Sequence, residues 1–235
     1  MWYAWTEQCC TVARLRYYES LLDDSERQRL ARLAHAHLRH EYLLTRALCR
    51  VSLSRYAGVA PAQWRFAAGR YGKPRIEWPP QQSLQFNLSN SRDLVACVVA
   101  RDIDVGIDVE QIDRDVDQQE IARSHFSATE LRAFLALAPE RQRRRFYELW
   151  TLKECYLKAC GSGLSTALET FSFDLDLNGA PTLTQDTSAT EPPAAWQFQL
   201  FSPDEQHVLA VGLRRPSGPE WTIHLCPTTP DDDAA

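Results

Sequence analysis

The alternation of apolar and polar residues is clearest in segment 105–110, which reads VGIDVE. Side chains alternate between the two faces of a strand, so this pattern predicts a strand with its branched apolar residues on one face. Asp108 and Glu110 then share the other face. Neighbouring carboxylates repel each other unless a cation lies between them. Two interpretations follow: a strand with one solvated face, or half of a site for a hard divalent cation such as Mg2+.

The rest of the chain alternates between helical and strand-like patterns. Apolar residues at helical spacing predict helices over about 27–38, 41–56 and 140–160, and Ser127 with Glu130 forms the capping-box pattern of another helix start. Apolar runs or alternation predict strands over 84–88 and 94–100 and in the last quarter of the chain. The order strand, helices, strands therefore occurs twice.

This order predicts an α+β fold with two similar lobes that form a pseudo-repeat. Each lobe is expected to be a small, mainly antiparallel sheet packed with helices, with the active site in the cleft between them. We place the N-terminal lobe at residues 1–102 and the C-terminal lobe at 103–226. The acidic tail 227–235 is expected to be disordered.

Composition narrows the class of protein. The 235 residues carry a formal net charge of −5, which argues against a general nucleic-acid binder. No apolar run reaches the roughly 18 residues of a membrane span, and the N-terminus lacks the pattern of a signal peptide. The seven cysteines include no C-x-x-C pair and are expected to be reduced and mostly buried. We expect a cytoplasmic monomer without a membrane or nucleic-acid partner.

The predicted helix 140–160 carries the second group of charged residues. Trp150, Glu154 and Lys158 follow one another at steps of four, and Lys153 lies beside them. The helix is apolar on its other sides, which predicts burial. One interpretation is a local ion pair between Glu154 and Lys158. The other joins helix and strand, with Asp108 and Glu110 completing a three-carboxylate cation site and both lysines facing phosphate groups.

Basic residues earlier in the chain suggest a place for a second phosphate. Only three of the 26 basic residues are lysines, and one of them, Lys73, lies in the turn sequence GKP. Arg29 and Arg46 on the first two predicted helices, with the polar turn containing Ser89 and Asn90, could bind an anion together with Lys73. The arginines are equally typical of a solvated helix face.

Four segments together resemble the ordered motifs of the 4'-phosphopantetheinyl transferases, and of the two-lobed Sfp type in particular. They read FNLS at 86–89, GIDVE at 106–110, FS at 126–127 and WTLKECYLK at 150–158. The resemblance implies a Mg2+-dependent enzyme that moves the 4'-phosphopantetheine arm of coenzyme A to a serine of an apo acyl or peptidyl carrier protein and releases 3',5'-ADP.

The resemblance also implies residue roles. Glu154 would be the general base and Lys158 would act beside the phosphates. The implied metal ligands are Asp108, Glu110 and Glu154. The implied coenzyme A contacts are Arg29, Arg46, Lys73, Ser89, Asn90, Asp108, Lys153 and Lys158.

The chain departs from the family at one position, because many relatives have histidine where this chain has Asn90. Asparagine can donate to phosphate but cannot carry a charge. Two other functions are compatible with the same carboxylates: a Mg2+-dependent phosphoesterase, and an inactive module that binds a carrier protein or coenzyme A.

Overall fold

Six α-helices and eleven β-strands form the described part of the chain, for which we use a computed structural model. The structure describes residues 1–69, 73–80, 83–112, 116–161, 166–176, 179–186, 192–215 and 219–231. The helices are α1 (Val12–Leu21), α2 (Asp24–Ala31), α3 (Ala36–Ser54), α4 (Gln118–His125), α5 (Ala128–Leu135) and α6 (Pro139–Cys160). The strands are β1 (Trp2–Trp5), β2 (Arg65–Ala68), β3 (Pro74–Trp78), β4 (Leu84–Ser91), β5 (Leu94–Arg101), β6 (Val105–Gln111), β7 (Phe171–Leu175), β8 (Pro181–Asp186), β9 (Trp196–Phe201), β10 (His207–Arg214) and β11 (Cys226–Pro227). Among these helices, none has the length and apolar character needed to cross a membrane.

The chain divides into two compact units. The first contains Met1–Asp102 and Ile223–Ala235, and the second contains Ile103–Thr222. The first unit has a sheet of order β11-β1-β5-β4 and a β2-β3 hairpin, and the second has a sheet of order β6-β10-β9 and a β7-β8 hairpin. All pairs are antiparallel except β1 with β11. The predicted α+β class with small, mainly antiparallel sheets is confirmed, and the predicted cleft stays a prediction.

The carboxyl-terminal segment differs from the predicted disordered tail. Pro227 lies in β11, in register with Tyr3 of β1. The carboxylate of Asp231 accepts hydrogen bonds from Arg14 Nε at 2.8 Å and from the hydroxyl of Tyr18 at 3.0 Å. The prediction is therefore wrong for residues 227–231, whose partners are distant in sequence, and residues 232–235 lie outside the described residues. The segment also belongs to the first unit, so the predicted second lobe extended too far.

A buried cluster of charges joins α2 to α3 in the first unit. Asp23 caps α2, and its side chain and that of Glu26 each accept a hydrogen bond from the other's backbone N–H. The buried Glu26 carboxylate also binds the guanidinium groups of Arg46 and Arg50, with Arg46 Nε 2.6 Å from Oε1. Arg50 is fully buried and donates a further hydrogen bond of 2.7 Å to the carbonyl of Trp64. One glutamate therefore both starts α2 and neutralises charge on α3.

Two paired glycines allow α6 to approach the sheet of the second unit. Gly106 of β6 and Gly212 of β10 are cross-strand partners. A Cβ on Gly106 would lie 2.6 Å from the backbone nitrogen of Ala159, and one on Gly212 would lie 3.3 Å from the sulfur of Cys155. Since these distances are shorter than or close to the limit of normal packing, α6 rests directly on the strand backbones. Asp108, two residues beyond Gly106, is on the same face of β6 and therefore faces α6.

The close contact at Gly106 makes this position sensitive to substitution. We expect Gly106→Ala to lower the free energy of unfolding by at least about 2 kcal/mol, because the added methyl meets helix backbone rather than a movable side chain. Gly58→Ala is the control, since a Cβ there meets nothing within 4 Å, and should change stability by no more than about 0.5 kcal/mol. Urea unfolding measures both variants. Equal stability of the two would contradict the described packing.

The buried cluster around Glu26 predicts that two carboxylates of α2, Glu26 and Asp24, contribute very differently to stability. Glu26→Gln should lower the free energy of unfolding by about 3 kcal/mol, because the buried Arg50 guanidinium loses its nearer carboxylate and keeps only Asp23, at 3.6 Å. Asp24→Asn, on the same helix, removes an exposed carboxylate that is 3.9 Å from Arg27, and should cost no more than about 1 kcal/mol. Thermal and urea unfolding compare the variants. A larger loss for Asp24→Asn would show that the cluster is not what stabilises this unit.

Candidate active site

Strand β6 brings the two predicted carboxylates to the sheet face covered by α6. The strand spans Val105–Gln111 and includes the predicted segment. Asp108 is only 4% exposed and Glu110 is half-buried. The interpretation of a strand with one solvated face is therefore wrong at Asp108. The pleat of β6 sets the direction of both side chains, and the glycine contact at Gly106 sets how closely the helix covers them.

Lys158 links α6 to β6 through Asp108. Its Nζ donates to Asp108 Oδ1 at 2.6 Å, and the lysine side chain keeps 31% of its surface exposed. Burial opposes the charge of Lys158, but Asp108 and then Glu154 outweigh it and raise the pKa of the lysine. The ammonium group is therefore held charged by Asp108 and by the nearby charge of Glu154, on a side chain that is partly exposed.

Glu154 lies one helical turn before Lys158, where it experiences the charge of Asp108. Burial, and then the charge of Asp108, raise the pKa of Glu154, whereas Lys158 and His125 oppose that rise. A carboxylate with a raised pKa accepts a proton more readily at neutral pH than an ordinary glutamate does. The arrangement can therefore take up a proton at Glu154 beside a fixed positive charge.

The donor set suits a hard divalent cation in its chemistry. Asp108, Glu110 and Glu154 offer only carboxylate oxygens, which Mg2+ prefers, and Mg2+ usually takes just one or two protein carboxylates together with water and phosphate oxygens. Among the described residues, no three histidine, cysteine, aspartate or glutamate side chains are close enough to form a metal site by themselves. The three-carboxylate site stays a prediction, and the oxygen donors around Asp108 and Glu154 fit a magnesium ion that is completed by other ligands.

Lys153 does not face the same region, although the sequence placed it beside the phosphates. It is fully buried, and its Nζ lies 2.8 Å from Glu130 Oε2, 2.8 Å from the carbonyl of Leu168 and 2.7 Å from the carbonyl of Phe171. An ammonium group has three hydrogens to donate, and these protein oxygens account for all of them. The prediction that Lys153 contacts phosphate is therefore wrong.

Two of the predicted basic and polar residues of the first unit already bind carboxylates. Arg46 contacts Glu26, and although burial opposes its charge, this neighbour raises the pKa of the guanidinium group. Asn90, at the end of β4, donates from its amide to Glu41 Oε1 at 2.5 Å. Glu26 therefore neutralises the charge of Arg46, and Glu41 uses one of the two N–H donors of the Asn90 amide.

The other three predicted residues of the first unit lie in different surroundings. Arg29 is exposed on α2, with its guanidinium carbon 5.6 Å from the centre of the Tyr42 ring. Lys73 is half-buried before β3, and its carbonyl accepts a hydrogen bond from Gly69 at 2.8 Å. Ser89 is buried in β4. Of this group, Arg29 is the most accessible to a ligand.

Two residues that contact α6 have roles that the sequence did not reveal. His125 ends α4, where its ring lies edge-on to the indole of Trp150, with 5.6 Å between ring centres, and its Nδ1 donates to the carbonyl of Ile121. No local pattern marks it as a neighbour of Glu154. Glu130 was recognised only as the capping-box residue of α5, yet it also binds Lys153. Its ion pair depends on the tertiary fold.

Comparisons with a family model and with known proteins point to the same family. Residues 104–212 match the model of the 4'-phosphopantetheinyl transferase superfamily. The chain is 31% identical over 191 residues to a 4'-phosphopantetheinyl transferase of Bacillus subtilis, covering 81% of each chain. It is 30% identical over 203 residues to the 4'-phosphopantetheinyl transferase Sfp of Bacillus subtilis strain 168, covering 86% of this chain and 87% of Sfp.

A solved structure shares a smaller part of the chain. The holo-[acyl-carrier-protein] synthase of Thermotoga maritima is 25% identical, with a TM-score of 0.40, over 49% of this chain and 65% of that one. Identity over most of the chain to the two curated relatives, together with the family match that spans β6 and α6, confirms the resemblance seen in the motifs. The chain belongs to the 4'-phosphopantetheinyl transferase family.

Proposed function

We propose that the chain transfers the 4'-phosphopantetheine group of coenzyme A to a serine of an apo acyl or peptidyl carrier protein. The observation that carries the proposal is the ion pair between Lys158 and Asp108 beside Glu154, in a chain of this family. The serine oxygen would attack the phosphorus that bears the pantetheine arm. The bond from this phosphorus to the bridging oxygen would break, and 3',5'-ADP would leave with that oxygen and the bonding electrons.

Glu154 is the proposed proton acceptor for the serine hydroxyl, directly or through water. Burial and the charge of Asp108 raise the pKa of Glu154 in the metal-free chain, whereas a bound cation would lower it and would favour proton transfer through water. Lys158 is proposed to stand beside the pyrophosphate, where its fixed charge would stabilise the negative charge that shifts to the leaving oxygen. The partial exposure of the Lys158 side chain supports this role, because the residue is not enclosed as Lys153 is.

Asp108 and Glu154 are the proposed protein ligands of a Mg2+ ion, with Glu110 on the same strand face as a third. When bound, such an ion neutralises charge on phosphate oxygens and orients them. Asp108 has a second role in this proposal, because it fixes the position of the Lys158 ammonium group. The chain's own contribution is thus to hold one base and one cation on the same face of the sheet.

Coenzyme A contacts in the first unit are proposed for Arg29 and Lys73, with Ser89 and Asn90 as additional donors. The exposure of Arg29 supports its availability to a phosphate. The structure gives less support to a coenzyme A contact for Arg46, because Glu26 already neutralises its charge. We further propose that the enzyme acts as a cytoplasmic monomer without a nucleic-acid or membrane partner, in keeping with its net charge of −5.

A single incubation separates the proposed transferase from its two alternatives. The chain is mixed with coenzyme A, Mg2+ and an apo carrier protein, and the carrier is weighed by mass spectrometry. A gain of one phosphopantetheine group supports transfer. Phosphate release with an unchanged carrier indicates a phosphoesterase, and binding without any product indicates an inactive module.

The same assay tests the role of Glu154. Glu154→Gln should lower the transfer rate at least about a hundredfold, because the amide cannot accept the serine proton. Glu148→Gln is the matched control, since Glu148 lies on the same helix and pairs with Arg144 and Arg145 instead. We expect its rate to stay within about twofold of the wild type. Retained activity in a folded Glu154→Gln variant would refute the assigned role.

A further inference from the structure

A second pair of charges lies on the other side of α6 and is completely enclosed. The Lys153 and Glu130 side chains are 0% and 1% exposed, and Nζ and Oε2 are 2.8 Å apart. Removing two charged groups from water has a large free-energy cost, and their mutual attraction offsets this cost only with good geometry and further hydrogen bonds. Stability alone therefore does not explain why this ion pair is buried.

Further hydrogen bonds surround the ion pair of Lys153 and Glu130 on every charged atom. Glu130 Oε2 accepts from the backbone N–H of Ser127 at 2.8 Å, and Oε1 accepts from that of Phe173 at 2.8 Å. Lys153 donates in addition to the carbonyls of Leu168 and Phe171. These bonds join the start of α5, the middle of α6 and the start of β7 at one point. Rotation of α6 about its axis would break them together.

The position of Lys153 in the helix connects this point to the site. Successive residues of an α-helix are about 100° apart around the axis, so the direction of Lys153 determines the direction of Glu154. Lys158 lies one turn after Glu154, on nearly the same line. A helix held at Lys153 therefore presents Glu154 and Lys158 in one direction only, which is towards Asp108 of β6.

We infer that Glu130 and Lys153 are positioning residues, whose buried ion pair fixes the rotation of α6 so that Glu154 and Lys158 meet Asp108. Neither residue contacts substrate, since both side chains are enclosed. The inference rests on the proposed transferase function. It also gives the two lysines of α6 separate roles: Lys158 acts in the site, and Lys153 fixes the rotation of the helix.

Three variants test the inference: Lys153→Met, Glu130→Gln and the double variant. Glutamine keeps the capping-box pattern of α5, and the double variant leaves no buried charge without a partner, so it is the variant most expected to fold. Calorimetry with coenzyme A counts binding sites per chain, and steady-state transfer to an apo carrier gives kcat and KM. Dividing kcat by the counted sites removes any effect of unfolded protein.

The expected result is a loss of kcat per site of at least about tenfold in each single variant, with the KM for coenzyme A within about twofold. The double variant should lose about as much kcat as the slower single variant, because the two residues act as one unit. Arg145→Met, which removes a half-exposed partner of Glu148 on the same helix, is the control and should leave kcat unchanged.

Three outcomes would overturn the inference. A large rise in the KM for coenzyme A in Lys153→Met alone would return that lysine to a phosphate-binding role. An unchanged kcat per site in the folded double variant would show that the pair only stabilises the fold. A wild-type chain that binds coenzyme A but transfers nothing would refute the proposed function and this inference with it.

Discussion

The close contact of α6 with the backbones of β6 and β10 is the constraint on which the site depends. Gly106 and Gly212 are paired across the two strands, and both lie beneath Cys155. A side chain at Gly106 would meet the backbone of α6 and hold the helix away from the sheet, whereas one at Gly212 would first meet the ring of Phe198. In this arrangement the Lys158 ammonium group donates to Asp108 over 2.6 Å. The packing of α6 on the sheet therefore determines where its charged residues lie relative to Asp108.

Helix α6 directs its charges to two different places. Lys158 and Glu154 face the carboxylate of β6, and Lys153 faces Glu130 and the start of β7. The second group has no solvent access, whereas Lys158 keeps part of its surface exposed. In this account the buried pair sets the orientation of the helix, and the accessible pair acts on the ligand. The two lysines have the same chemistry, but protein atoms enclose Lys153 whereas the Lys158 side chain stays partly exposed.

Much of the fold followed from local patterns, and less of the site did. Strand β6 and the capping box at Ser127 are found where period-two alternation and helix-start residues predicted them. Lys153 was assigned wrongly because adjacency in sequence was taken as adjacency in space, although neighbouring helix positions differ by about 100°. The segment 227–231 was assigned wrongly because its partners, such as Arg14, lie more than two hundred residues away. Helix α1 was missed because its polar and apolar residues do not separate onto two faces.

We propose that the face of β6 under α6 holds both the cation and the pyrophosphate of coenzyme A. The most direct test is a crystal structure of the chain with coenzyme A and Mn2+, which prefers the same oxygen ligands as Mg2+ and is located by anomalous scattering. We expect one manganese peak in contact with the carboxylates of Asp108 and Glu154, with Lys158 beside the pyrophosphate. Coenzyme A bound elsewhere, or a manganese peak away from both carboxylates, would contradict it.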